Sequence, residues 1–504
     1  MNVAVIGSGL AGLTAGAALA QDGHKVTVFE QYERVGGVTA PLVQDGYRWD
    51  LGQLLVEGFG PDEPLGKILA QLKVLDKIRV RKDDRRYVFP DFSIDKPKIY
   101  SGPLWRMDRL KEIFPQESRG LDRYWKDYLR FTRLMTCARR MEGAKGLGKL
   151  AWQARLYANL LPFLPRKDWN AQRLMDRYFK DERLKAVFIS ILADFFTPPS
   201  QFIGLGVFSL NPEPSFDCRI PKELAKDTEQ LYYYSVLGGI STLVDALDER
   251  IRQLGGQILT HKPVTKIAIS NGQVSGVETA DGAISAQDAI IATGAAKETF
   301  FTLVGKEHLP ADFIDRVNNL PLMDSVFMVH LGLDMDPGTD MPGVCTYYYS
   351  TYDLENSIQR AREGFYHGGD EGFVVHLPTH HSPDMAPSGH HSITIYTICP
   401  DILNEGSWAE CKEAYADRLV ACAEKYIPGL AEHTRVRVIV TPEDFRARVH
   451  AAHHAFGGLA PFQNAARIPH QTPIKGLWFA GSQSESGGGI NNVIPAAYKV
   501  AKRL

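Results

Sequence analysis

The chain has 504 residues, 44% of them hydrophobic and 23% charged, with a formal net charge of -2. This length supports a large buried core and more than one domain. The composition excludes a disordered chain, and the near-neutral balance offers no field to draw nucleic acid.

Cys137, Cys218, Cys345, Cys399, Cys411 and Cys422 are dispersed with no CxxC pair. They read as reduced thiols in a cytoplasmic setting, without disulfides or structural zinc. No apolar run reaches the roughly 18 residues of a membrane span. Glycines interrupt the first apolar stretch, so it is not expected to be a secretory leader.

Val3–Ile6 predicts a buried strand. Gly7, Gly9 and Gly12 follow in GxGxxG spacing, then an alanine-rich helix ending near Gly23 and a second strand ending at Glu30. In such a unit the first glycine permits the tight turn and the second lets the backbone approach a pyrophosphate. The third lets the helix pack on the strand. The helix N-terminus supplies free N–H groups for phosphate, and Glu30 suits ribose hydroxyls. Dinucleotide binding follows. Arg34, Gly36 and Gly37 stand shortly after the acid, and "GYRWDLGQ" carries Asp50 and Gly52.

The stretch 143–169 combines Leu150, Leu156, Tyr157, Leu160, Leu161 and Leu164 on roughly one helical side with Lys145, Lys149, Arg155, Arg166 and Lys167. A basic amphipathic helix of this kind suits a membrane surface, and an ordinary lid helix has the same pattern. Ala186–Phe196 and Tyr347–Tyr349 read as tunnel wall or plain core. Further on, Ser241–Leu254 predicts a helix between glycine pairs. Strands follow it, with a hairpin at Asp281–Gly282, and "IIATG" ends at Gly294. No second GxGxxG and no CxxxxC are present, so a separate nicotinamide domain is not expected. Histidines cluster late in the chain (His376, His380, His381, His390, His391, His450, His453, His454) without acidic partners at ligand spacing, and no metal site is expected.

The chain closes on "LWFAGSQSESGGGINNVIPAAYKVA". This reads as a last strand, a glycine turn from Gly481, and a helix starting near Ile490 or Asn491. A helix start of this kind turns N–H groups and partial positive charge toward whatever binds beside it.

The first glycine motif with its second glycine pair resembles the flavoprotein superfamily of amine oxidases, glutathione reductase and phytoene desaturase. Together with "YSVLGGISTLVDALDERIRQLGG", "HSPDMAPSGHHSITIY" and the closing segment, it is similar to the carotenoid-desaturase-like family: phytoene desaturases, carotenoid isomerases and retinol saturase. That resemblance implies an α/β fold. It would comprise an FAD-binding Rossmann-like domain of the glutathione-reductase and amine-oxidase type, an inserted substrate domain and a helical lid. The expected division is 1–75, 230–298 and 441–504 for FAD, 76–229 for a helical insertion and 299–440 for substrate.

The resemblance places FAD against Gly7, Ser8, Gly9, Leu10, Ala11, Gly12, Glu30, Gln31, Arg34, Gly36, Gly37 and Val38. Val264, Thr293 and Gly294 would meet it from the central segment, and Gly481, Ser482, Gly489, Asn491, Asn492 and Val493 from the last. Departures from the family pattern fall at Val38, Gln483, Glu485 and Asn491–Asn492. Glu485 is the candidate acid or base, because that position should face the ring and a carboxyl in an apolar pocket has a raised pKa.

The implied activity is desaturation of a long apolar isoprenoid or polyene by hydride transfer to flavin, with quinone or oxygen as acceptor. A peripheral membrane location is implied with it. Alternatives left open are a saturase or cis–trans isomerase using reduced flavin, an amine or porphyrinogen oxidase, and a flavin-free binder of prenylated partners resembling the GDP-dissociation inhibitors.

Overall fold

The structure is a computed structural model that describes residues 1–341 and 343–504. Its first layer is a five-stranded parallel sheet, ordered Gln257–Leu259, Lys25–Phe29, Asn2–Ile6, Ala289–Ala292, Leu477–Phe479. The apolar N-terminal strand sits at its centre because Val3, Ala4 and Val5 have neighbours on both edges and both faces. Every residue from Leu10 to Ala20 is buried, in a helix packed between Ser241–Gln253 and Ile490–Ala501. Small side chains let it lie this close. A Cβ at Gly12 would stand 1.9 Å from the Gly7 carbonyl oxygen. On the other face lie the antiparallel strands Val264–Ser270, Gln273–Thr279 and Ile284–Ala286, the last two joined through the expected turn at Asp281–Gly282.

Buried Asp50 ties the two halves of this layer. Burial pushes its carboxyl up to about 6, and it accepts the Ile240 N–H at 2.9 Å, at the entrance of the Ser241–Gln253 helix.

The second layer is a seven-stranded mixed sheet, ordered Thr434–Val440, Ser325–Leu333, His391–Cys399, Gly372–His376, Cys345–Tyr349, Arg85–Val88, Ser93–Ile94. Residues 80–94, expected to open a helical insertion, thus supply strands, and Arg85–Val88 runs parallel to Cys345–Tyr349. The alternation of strand side chains divides the sheet. Val329, Leu331, Val375, Ile393 and Ile395 pack with the Trp408–Glu424 helix residues Leu419 and Ala423. Register aligns Tyr87, Tyr347, Val374, Tyr396 and Met328 in one row.

A helical layer spanning Trp105–Leu210 covers that row. Its core is aromatic (Tyr124, Tyr128, Phe163, Phe188, Phe208) and encloses the fully buried pair Arg106–Glu213, joined at 2.7 and 3.0 Å. Within it Gly146–Leu160 forms a helix with no fully buried residue. The apolar side expected there divides in two. Leu156 and Leu160 pack against the aromatic core, whereas Leu150, Tyr157, Leu161 and Leu164 are exposed, as is Leu147 at 85%. Arg166 is not on the basic face. It is buried, with Nη1 2.7 Å from Asp127, because the helix ends in a 3-10 turn that swings it inward. Among the described residues, no helix is long and apolar enough to cross a membrane, the cysteines are free, and no group of three metal-ligating side chains forms.

Candidate functional site

A cavity of about 850 Å³ lies between the carboxyl edge of the parallel sheet and the mixed sheet. Open α/β sheets place ligands at this edge. Its outer part is walled by backbone from both ends of the chain, and its inner part by Tyr347, Tyr396 and Met328 of the side-chain row described above.

From the N-terminal segment, Gly7, Ser8, Gly9, Leu10, Ala11, Glu30, Gln31, Gly36, Gly37 and Val38 line the cavity. Gly7 needs its positive φ of 98°, and Thr293 Oγ1 would lie 2.7 Å from a Cβ there. Gly9 caps the Leu10–Gln21 helix without any side-chain bond, so among the described residues the first N–H groups of that helix have no side-chain capping partner. A Cβ on Gly9 would meet nothing within 4 Å. Gly36 donates to the Ser8 carbonyl at 2.9 Å, which brings the second glycine pair against the first. Buried Glu30 accepts from Ser8 N–H at 2.9 Å and from Tyr32 N–H at 2.8 Å.

Two expected residues lie elsewhere. Gly12 faces the Gly7 carbonyl and not the cavity, since its place in the first helical turn is under the strand end. Arg34 points to solvent at 58% exposure beside Glu33, 3.6 Å away. The cation that lines this wall is Arg448, half-buried over the Tyr32 ring.

Val264, Thr293, Gly294, Gly481, Ser482, Glu485, Gly489, Asn491, Asn492 and Val493 also line the cavity. The three consecutive glycines have separate reasons. A Cβ at Gly487 would meet open space, whereas one at Gly488 would lie 2.2 Å from the Gly457 carbonyl oxygen, and Gly489 has φ 95°. The helix begins at Ile490, as expected, but its first N–H is already taken by Gln53 Oε1 at 2.8 Å. Asn492 turns its amide back to the Gly488 carbonyl at 2.7 Å. Buried Gln483 accepts from Ala296 N–H at 2.8 Å, clamping the turn to the strand end at 292. Glu485 is not in an apolar pocket. It is 44% exposed, and its Oε1 accepts the His470 N–H at 2.9 Å.

The inner end gathers Glu57, Arg85, Asp194, Cys345, Tyr347 and Tyr396. Asp194 and Tyr347 come from the two stretches that the sequence reads as tunnel wall or plain core, the other four had no site role there, and the alternation of the tyrosine run is informative. Tyr347 faces the cavity, while Tyr348 turns to the opposite core with Phe373. Burial pushes the Asp194 carboxyl up to about 7, against hydrogen bonding from Tyr347 and the charge of Arg85. It pushes Glu57 up to about 7 as well, against Arg139 and Arg85. Shifts of this kind cluster at functional sites.

Comparison with known proteins agrees with this geometry. Residues 10–504 match the family described as flavin containing amine oxidoreductase. Pyridine nucleotide-disulfide oxidoreductase domain-containing protein 2 of Mus musculus is 24% identical, over 97% of this chain and 91% of its own. Prolycopene isomerase 1 of an Oncidium hybrid cultivar is 24% identical, over 99% and 84%. Phytoene desaturase (neurosporene-forming) of Rhodobacter capsulatus is 25% identical, over 99% and 93%. Among solved structures, an oxidoreductase from Methanosarcina mazei shares the fold with a TM-score of 0.65 at 18% identity, covering all of both chains.

The wall leaves room for FAD: the helix start without a side-chain cap and the open space at Gly9 and Gly487 fit a diphosphate and a ring system. Gly9→Val is expected to fold with the melting temperature of the flavin-free wild type yet lose most of its flavin absorbance, because a Cβ there meets nothing within 4 Å and the new side chain enters the cavity. Gly12→Ala is expected to lower the melting temperature by several degrees, because its Cβ meets the Gly7 backbone. Both are read by thermal unfolding and flavin occupancy.

Proposed function

Because the chain belongs to the flavin containing amine oxidoreductase family and is an FAD-dependent oxidoreductase, we propose that it acts on carbon–carbon bonds of a long apolar isoprenoid or polyene. The observation that carries this reading is the cavity's second half. Beyond the glycine walls it runs between Val326, Met328 and Ile398 of the mixed sheet and Ile191, Phe195 and Leu210 of the helical layer. Two apolar walls facing each other suit a flat hydrocarbon chain. Phytoene desaturases and prolycopene isomerases among the relatives point the same way.

FAD, when bound, supplies a two-electron acceptor for hydride. The chain's own residues hold and orient. Leu10 and Ala11 N–H groups at the helix start would face the pyrophosphate, and Glu30 the ribose hydroxyls. The two apolar walls hold the substrate carbon chain flat and exclude water from it. The proton released with a desaturation leaves through Glu485, which lines the cavity and also reaches solvent. A quinone or oxygen then accepts the electrons.

The exposed side of Gly146–Leu160 and the turn after it supports peripheral membrane contact, through which an insoluble substrate is collected. Leu147, Leu150 and Leu161 project there beside the exposed Lys145 and Lys149. Arg155 contributes less, being shared with Asp227 at 3.6 Å.

Three outcomes test this. Anaerobic incubation of the FAD-loaded protein with candidate polyenes is expected to yield a product lighter by two hydrogens. An unchanged mass with altered double-bond geometry would favour isomerisation, the activity named for the prolycopene isomerase relatives. Glu485→Gln is expected to slow turnover roughly a hundredfold while keeping its flavin, and normal turnover would remove Glu485 from the mechanism. Replacing Lys145, Lys149 and Arg155 with glutamate is expected to release the protein from anionic liposomes in flotation, since each basic residue near such a surface adds on the order of 1 kcal/mol.

A further inference from the structure

The buried arginines of this molecule are not equivalent. Arg106 is held by Glu213 through two hydrogen bonds, and Arg166 by Asp127 at 2.7 Å. Arg85 is only 5% exposed, yet among the described residues no carboxylate lies within ion-pair distance of it. Its Nη2 donates to the Leu210 carbonyl, and its Nε has no partner. The guanidinium carbon lies 4.9 Å from the Phe216 ring centre, 5.3 Å from Tyr87 and 5.4 Å from Tyr233. Aromatic faces offset part of the cost of burying a cation, but they do not neutralise it. Strand register explains the position. Arg85 stands opposite Cys345, another cavity residue, and itself lines the cavity.

The groups around it are donors more than counter-charges. The phenols of Tyr87, Tyr233, Tyr347 and Tyr349 are pushed up by burial and stay neutral. Asp194 and Glu57 are the carboxyls whose charge reaches Arg85, and burial holds both near 7, so neither is a fully ionised partner at neutral pH. Arg139 and Glu63 also act on Glu57, and Asn491 donates to its Oε2 at 3.4 Å. A permanent cation ringed by hydroxyl donors and half-protonated acids is complementary to a monoanion. A planar carboxylate matches a guanidinium better than a hydroxyl does, because it pairs bidentately and completes the charge.

We propose that the inner end of the cavity is a carboxylate subsite, and that the substrate is a long apolar chain ending in a carboxylate bound by Arg85. This inference rests on reading the cavity as the substrate cavity. A plain hydrocarbon would bury Arg85, Asp194 and Tyr347 without returning a polar partner, and unsatisfied buried polar groups disfavour such binding. The acids set the pH dependence. Below about 7 they are neutral and donate to the bound carboxylate. Above it they ionise, neutralise Arg85 and repel the ligand.

The test is equilibrium binding to the FAD-loaded full-length protein, read by flavin fluorescence, of three matched probes: farnesoic acid, farnesol and farnesene. At pH 6 the acid is expected to bind at least about tenfold tighter than the hydrocarbon, the scale of a charged hydrogen bond. That gap is expected to shrink several-fold by pH 8. Arg85→Gln is expected to abolish the gap by weakening farnesoic acid roughly tenfold, with farnesene affinity unchanged or tighter. Should that variant fail to fold, as judged by melting temperature and flavin occupancy, the wild-type series and its pH dependence decide alone. Equal affinities for acid and hydrocarbon competing for one site overturn the subsite and leave the apolar-chain reading standing, as does farnesol binding tighter than the acid. Binding of none of the three overturns the cavity reading and the subsite together.

Discussion

The site depends on one close approach of backbone, at the carboxyl edge of the parallel sheet, where the strands ending at Ile6, Ala292 and Phe479 bring Gly7, Thr293 and Gly481 together. Thr293 donates its hydroxyl to the Ile6 carbonyl at 2.9 Å, and its own carbonyl oxygen would lie 2.6 Å from a Cβ on Gly481. Gly12 closes on Gly7 from the helix side. These contacts join the first, middle and last parts of a 504-residue chain. Many of the glycines that look like cofactor glycines are therefore packing glycines first. They set the depth of the cradle, and only then does the remaining open space, at Gly9 and Gly487, become a place for a ligand.

This explains what was legible in the sequence. The first strand, helix and second strand are local, and their hydrophobic period and glycine spacing place Gly7, Gly9 and Glu30 at one edge without any knowledge of the rest. The last strand and helix are local in the same way. Arg34 was misplaced because a charged residue near a glycine pair has no local cue to its direction. Arg166 was misplaced because a 3-10 turn after Leu160 breaks the helical period that put it on the basic face. The inner end was illegible for a different reason. Arg85, Asp194, Tyr347 and Tyr396 meet only through a strand order in which residues 85–88 join a sheet made mostly from residues beyond 324. No spacing in the chain encodes that pairing.

Buried charge separates the structural part of the helical layer from the functional part of the cavity. Arg106–Glu213 is enclosed and its charges are paired, although Arg106 Nη1 has no hydrogen-bond partner among the described residues, and the pair holds the Trp105–Ile113 helix to the turn at 213. Arg85 and Asp194 share the same part of the molecule but are left incompletely compensated. Stability alone gives no reason to keep such groups, since apolar replacements of similar volume are often neutral or better. Their position on the cavity wall supplies one.

The two helices that start at the cavity show how the same device is used unequally. The Leu10–Gln21 helix arrives with no side-chain cap, so its partial positive charge and its free N–H groups are directed at the ligand. The Ile490–Ala501 helix arrives already capped from outside, its first N–H bonded to Gln53, which in turn donates to the Leu55 carbonyl at 2.8 Å. A terminus satisfied in this way retains its dipole but offers fewer donors. Its pull on negative charge at a flavin edge is then weaker than the bare glycine turn implied, and it acts through a side chain that spans residues 53 to 490. With FAD held as proposed, the diphosphate, carrying full charge, would meet the uncapped end and the ring, carrying partial charge, the capped one, so the strength of each electrostatic device would follow the charge it has to hold.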